Sequence, residues 1–267
     1  MSSASLGEQL AVILSGLKDL SVPIPGFDYD LPVMDVMFAI LINYSYRSAL
    51  GESHARIGWG QGLLATIVMC AGGGSTVSIL RGEPLGIFKS NEFWAIHGAV
   101  YWLMNSSPYV YQLTDALFNL PMVSNLFTLS NGVLRNAAIC QLGVNGVSTN
   151  PSLGPDKWVA QIICGTLAGC GGALWIDAFR LTQQNWSFST PRLLHVASHD
   201  MKASFVSTLF YVATTNPALS PYLGIKPMNH EESQAWSAVL LTSWFVYGSY
   251  ANKWQQSNEK KIEEKEA

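Results

Sequence analysis

Charge is scarce in this sequence. Asp, Glu, Lys and Arg make up 12% of its 267 residues, where a soluble domain carries about a quarter. The shortage is concentrated in helix-length windows: residues 57–80, 93–114, 116–134, 136–155, 158–176, 203–225 and 233–252 hold none of the four. A single soluble core rarely needs so many uncharged windows, whereas roughly 20 apolar helical residues cross the roughly 30 Å of a bilayer's hydrocarbon. Excess positive charge is also missing: a net charge of −3 and a pI near 5.9 exclude the basic footprint of a nucleic-acid binder. The four cysteines, Cys70, Cys140, Cys164 and Cys170, all fall inside uncharged windows, so they read as small apolar residues rather than a disulfide framework or zinc site. Catalytic motifs are absent: there is no GxSxG elbow, P-loop or dinucleotide fingerprint, and the chain does not read as an enzyme. His195 and His199 have the i, i+4 spacing of a metal pair but only Asp200 beside them, too few ligands for a metal site.

What is present is a set of small and polar residues inside the uncharged windows. Mean hydropathy is only +0.20, as expected for membrane helices rich in Gly, Ser, Thr, Asn and Gln that approach closely or face a polar interior. The pattern predicts an all-α membrane protein with seven transmembrane helices at about 31–46, 58–80, 93–104, 123–147, 157–179, 202–215 and 234–250. Turn-rich joints separate them, among them RGEP at 81–84, NSSP at 105–108 and NPSLGPD at 150–156. The seven-helix domain occupies residues 31–252. Residues 1–30 form an extramembrane segment in which Leu10, Val12, Ile13, Leu14 and Leu17 predict a short amphipathic helix. Glu8 precedes that apolar run and no basic n-region does, so it is a poor signal peptide. Residues 253–267 form a mixed-charge tail expected to be disordered. With an outside N-terminus, Lys and Arg outside the spans divide nine to the cytoplasmic side and five to the other, which favours a cytoplasmic C-terminus.

Glycine supplies an internal repeat. The second predicted helix carries CAGGGS at 70–75, with Gly72, Gly73 and Gly74, and the fifth carries GTLAGCGGA at 165–173, with Gly169, Gly171 and Gly172. Each is the middle member of a three-helix set, so the sets form an inverted 3+3 repeat followed by a seventh helix. Glycine costs about 1 kcal/mol in a helix relative to Ala. It serves either close helix packing, as the pairs Gly58/Gly62 and Gly165/Gly169 suggest, or a kinked element beside a water-filled path. Matched placement in two repeats favours the kinked pore element. Ionisable groups at membrane depth cost about 2.5–3.5 kcal/mol on insertion scales and usually face a partner or an aqueous cavity. Arg135 is the outstanding case, with 19 uncharged residues before it and 20 after. Asp35 and Lys202 lie nearer helix ends and serve either as interfacial anchors or as pore residues. His97 reads as packed or hydrogen-bonded. A hydrated path is therefore expected between the two sets, pinched at the glycines, lined or gated by Arg135 and whatever neutralises it.

At the glycine motifs the chain resembles the trimeric intracellular cation channels. The likeness covers most of residues 30–250 and is best over ARIGWGQGLLATIVMCAGGGSTVSILRGEPLGIFKSN (55–91) and DKWVAQIICGTLAGCGGALWIDAFR (156–180). Asp35 and Lys202 also fall where that family has such residues. The resemblance implies a homotrimer in the endoplasmic reticulum or another intracellular membrane. Each protomer would hold its own pore for monovalent cations, chiefly potassium ions, as counter-current to calcium movement. It also implies a bound membrane lipid, an anionic phosphoinositide, held by two basic residues of the fourth helix and the glycine region. Here Arg135 occupies the first of those positions and Ile139 the second, Gln141 stands where the family has tryptophan, and Ala168 replaces a basic residue before the second glycine motif. A secondary transporter and a non-conducting structural subunit are the alternatives that the same helices would serve.

Overall fold

The computed structural model describes residues 5–26 and 28–266, with side chains for these apart from 193 and 252–266. The fold is helical throughout except for one short antiparallel ribbon, β1 (Ser21–Pro23) with β2 (Asp30–Pro32), paired Val22 to Leu31. The sequence at 21–32 gives no strand signal, because three-residue strands carry too little period. Ahead of the ribbon, α1 (Leu6–Lys18) opens on a capping box between Ser5 and Glu8, which satisfies two orphan donors reciprocally. It docks on the last helix, where Ser5 Oγ donates to Glu232 at 2.8 Å; of its expected apolar stripe Leu10, Leu14 and Leu17 are half-buried, whereas Val12 and Ile13 are exposed.

Helices stand at each of the seven predicted positions. They are α2 (Val33–Leu50), α3 (Trp59–Leu80), α4 (Asn91–Ser106), a composite fourth segment, α8 (Trp158–Ala178), α9 (His199–Thr215) and α10 (His230–Glu266). Among the described residues, α3 and α8 are long and apolar enough to cross a membrane by length and composition alone. The other helices pass their polar groups to one another. Residues 253–266 continue α10 as helical backbone where their mixed charge predicts disorder; their side chains and Ala267 lie outside the described residues.

Besides the ribbon, two elements depart from the expected pattern. The helix α5 (Pro108–Phe118) fills the joint after α4, with Pro108 in its first turn, where a missing N–H costs nothing. The composite fourth segment consists of α6 (Pro121–Ala137), a π-helical stretch (Ala138–Asn145) and α7 (Gly146–Thr149). The wider i→i+5 turn leaves backbone groups short of partners. Arg81, at the end of α3, answers this by donating to Leu142 O while it pairs with Glu83.

The centre of the fold is the contact of α3 with α8. They run antiparallel: Val77 meets Cys164 and Ala168, while Ala65 and Met69 lie near Ile176. Glycine sets their separation. A Cβ on Gly73 would stand 2.6 Å from Leu167 O, one on Gly171 would stand 2.7 Å from Gly73 Cα, and one on Gly172 would collide with Met69 O. Both helices continue through these glycines without a break, and the glycines serve their close contact. The backbone of one helix shields the other's carbonyls, and the helical hydrogen bonds survive. Gly165 and Gly169 extend the close fit to Thr208 and Ser204 of α9. Around this centre, Ile139, Cys140, Val144, Tyr211, Leu241 and Phe245 build an apolar cluster between the π-helical stretch, α9 and α10. Asn136, near the end of α6, ties that helix to α9 and α10, donating to Gln234 O and accepting from Ser207 and Ser237.

Candidate functional site

Two cavities lie against the α3–α8 contact. The larger, of about 1080 Å³, is cavity 1 and includes Arg135, Asp177, Arg180, Arg192, His195 and Asp200 in its lining. The smaller, of about 450 Å³, is cavity 2 and includes Asp35, Gly74, Ser78, Glu92, His97 and Gln141. They share Phe38, Cys70, Leu134, Ala138 and Ala168. These five apolar or weakly polar residues form a septum, contributed by α2, α3, the fourth segment and α8, between spaces that reach opposite ends of the helix assembly. Order along the helices fixes that sense: on α3, Met69 borders cavity 1 and Ser78 cavity 2, while on α2, Asp35 borders cavity 2 and Ala49 cavity 1.

Arg135 sits at the cavity 1 edge of the septum, one residue from Leu134 and one helical turn before Ala138. Its guanidinium donates through Nη1 to Asp200 at 2.6 Å and through Nε to Asn131 at 3.2 Å, and it lies 5.0 Å above the ring of Phe245. The carboxylate comes from the first turn of α9, where Ser198 caps the helix by accepting from Met201 N. Sequence reasoning considered Asp200 only as a metal ligand. The signal available was that Arg135 is the most isolated ionisable residue at membrane depth, and such residues usually face a charged partner.

The other predicted residues divide. Gly73, Gly169 and Gly172 line cavity 1 and Gly74 lines cavity 2, whereas Gly72 and Gly171 serve the helix contact and border neither space. Asp35 is exposed and lines cavity 2 together with Glu92. Lys202 is exposed and borders neither cavity. Ile139, at the position of the second basic residue expected from the resemblance, is fully buried in the apolar cluster. Arg180 is a further cavity 1 residue. It adopts φ +50° just past α8, with Leu181 N returning to Ile176 O at 3.0 Å, a helix ending that glycine usually occupies. At the mouths, Arg192 pairs with Asp177 at 3.3 Å. Tyr29 of the connection between β1 and β2 donates to Glu92, which pushes the tyrosine up to about 12. Among the described residues no group of three or more His, Cys, Asp or Glu side chains is gathered to hold a metal.

The sequence model of the TRIC channel family matches residues 61–226, well over half the chain. The chain belongs to the TRIC channel family. Solved TRIC structures share its fold. One, described as "Structural basis for activity of TRIC counter-ion channels in calcium release", is 20% identical, with a TM-score of 0.65 over 83% of this chain and 93% of that one. A trimeric intracellular cation channel from C. elegans with bound Ca2+ is 18% identical, with a TM-score of 0.65 over 90% of this chain and 96% of the other. The C. elegans channel in the absence of Ca2+ gives 17% identity and a TM-score of 0.64 over 91% and 96%. No curated protein matches the chain. Membership of TRIC makes this an integral membrane protein and an ion channel, a family of channels rather than enzymes. The α1 segment, the ribbon, α2 and α10 lie outside the matched stretch.

Proposed function

We propose that the chain is a cation channel of the endoplasmic reticulum or another intracellular membrane, passing potassium ions through each protomer of a homotrimer as counter-current to calcium release and uptake. The observation that carries this reading is the pair of cavities meeting at the septum of Phe38, Cys70, Leu134, Ala138 and Ala168. Hydrophobic constrictions gate by losing water, so the septum is the closed gate. Seven helices span: α2, α3, α4, the composite fourth segment, α8, α9 and α10. The first six form the inverted 3+3 repeat, with α3 and α8 as its antiparallel middle members. The nine-to-five division of basic residues puts the mouth of cavity 1 on the cytoplasmic side.

A bare arginine beside the gate would repel cations, and Asp200 cancels it. An anionic phosphoinositide headgroup at cavity 1 would compete with Asp200 for Arg135. Arg180 and Arg192 at the same mouth stand in for the basic side chain that Ile139 does not provide. The test is single-channel recording of the purified protein in planar bilayers under a potassium gradient, comparing wild type with Arg135→Ala. Unitary cation-selective currents that change with the substitution support the reading, and silence from a verified, folded trimer overturns it. A closed septum between two cavities also suits a secondary transporter, which the same preparation would reveal as saturable flux without unitary currents.

A further inference from the structure

Cys70 and His97 stand apart from the rest of the path. Cys70 is the one cysteine of the four that is not buried, and it borders both cavities. Its Sγ lies 3.4 Å from Nε2 of His97, which α4 brings in from the cavity 2 side. The imidazole is only 4% exposed and rests against the ring of Phe93, with centroids 4.3 Å apart. Its Nδ1 is buried and has no hydrogen-bond partner among the described residues. A thiol is therefore the only polar contact of a buried ring, and a thiol is a weak hydrogen-bond partner. Polar groups buried with so little compensation cost stability, so packing alone accounts poorly for this histidine.

The spacing has a chemical meaning. A tetrahedral zinc ion with bonds of about 2.3 Å to sulfur and about 2.0–2.1 Å to nitrogen holds those two ligand atoms about 3.6 Å apart. The observed 3.4 Å is within side-chain adjustment of that bite. Cavity 2 adds Asp35 and Glu92 and no Lys or Arg to its lining, so it attracts cations toward the pair and leaves room for water in the remaining coordination positions. We propose that Cys70 and His97 form a two-residue site for a borderline-soft divalent cation of the zinc class, reached from cavity 2, and that its occupation plugs the septum. Binding places the ion on Nε2 and on the Cys70 thiolate, with the thiol proton released to water. The site stands on its own geometry; only the consequence for current rests on the conduction reading above.

The probe is Cd2+ added to the full-length protein in lipid nanodiscs, read by the ultraviolet charge-transfer band of a cadmium thiolate. One band per protomer is expected in wild type. Cys70→Ala should abolish it, and His97→Gln should weaken binding by at least about 100-fold, since loss of even an outer partner of a metal ligand costs about 10–100-fold. Each variant must first elute as a folded trimer, and Ala71→Ser, one residue along the same cavity wall, serves as a variant that keeps both ligands. A band that persists in Cys70→Ala, or no band in wild type, overturns the site. In bilayers, Zn2+ should block wild-type currents faster from the cavity 2 side and spare Cys70→Ala. Currents that ignore Zn2+ while the Cd2+ band is intact overturn the plug. A band with no currents at all upholds the site and counts against the conduction reading instead.

Discussion

Cavity 2 offers Asp35 and Glu92 to an ion entering from its mouth and no basic side chain, while cavity 1 offers Arg135, Arg180 and Arg192 against Asp177 and Asp200. Both are bounded by the same two glycine helices and by the same septum. One backbone frame therefore carries two opposite electrostatic designs. In cavity 2 the field needs no partner to favour cations. In cavity 1 carboxylates offset two of the three arginines, Asp200 holding Arg135 and Asp177 holding Arg192, which makes pairing at Arg135 rather than net charge the controllable quantity. On the conduction reading proposed above, ions would gather on the cavity 2 side of the septum and be admitted or refused on the cavity 1 side.

The comparison breaks completely if the wall common to both cavities is pushed apart. Gly73→Val should do this, because its Cβ would press on Leu167 O and Ala168 O of α8, backbone atoms that cannot rotate away. Overpacking of this kind costs about 1–3 kcal/mol and often more, so the folded trimer yield and thermal midpoint should both drop. Gly98→Ala meets nothing within 4 Å and should leave both unchanged. Next in size is the pairing inside cavity 1. A guanidinium about 6 Å from a permeating ion at an effective dielectric of about 20 repels it by about 3 kcal/mol before screening. Asp200→Asn should therefore cut unitary potassium conductance by about tenfold, and adding Arg135→Ala should restore it. A double variant no better than Asp200→Asn alone would show that Asp200 acts in some other way.

Those two predictions rest on features of unequal visibility in the sequence. The uncharged windows locate the seven principal helices because bilayer thickness dictates their length, and the glycine clusters mark α3 and α8 as a matched pair. Composition does not reveal what the glycines do: a break and a close contact call for the same residues, and only the facing backbone of Leu167 and Ala168 decides between them. Arg135 is conspicuous through isolation, whereas Asp200 is hidden, lying 65 positions away on a helix that happens to start beside it. The π-helical stretch leaves no compositional trace, since Ala, Ile, Cys and Leu suit either helix type. Helix α5 is hard to read from sequence because its 11 residues are too few to span, proline opens it and none of its side chains is buried to mark a core-facing stripe.

Smaller effects separate the gate from the cavity that feeds it. Phe38→Ala removes the largest side chain of the septum and should raise open probability severalfold in steady-state recording by easing hydration of the constriction; unchanged gating would place the barrier elsewhere. Asp35→Asn with Glu92→Gln should lower conductance about twofold for ions arriving from the cavity 2 side at 0.1 M salt and have no effect at 1 M, where the screening length falls to about 3 Å. A loss that persists at high salt would mean these carboxylates bind ions directly rather than shape the field.

The least of the expected effects concerns acid. Arg81 both supports the π-helical stretch through Leu142 O and pairs with Glu83, and that hydrogen bond holds the Glu83 carboxyl below its ordinary value. A carboxylate whose folded value is depressed contributes stability that is present above its unfolded value, about 4.3, and is lost as pH falls through the folded value. Glu83 is partly open to solvent, a third of its side chain being accessible, so screening keeps the contribution small. Thermal midpoints followed from pH 7 down to about pH 3 should show wild type slightly more stable than Glu83→Gln at neutral pH, with the two curves merging below about pH 4. Curves that stay parallel to the acid end would mean that Arg81 holds the π-helical stretch without help from its carboxylate. The support of cavity 2 would then depend on the guanidinium and the carbonyl of Leu142 alone.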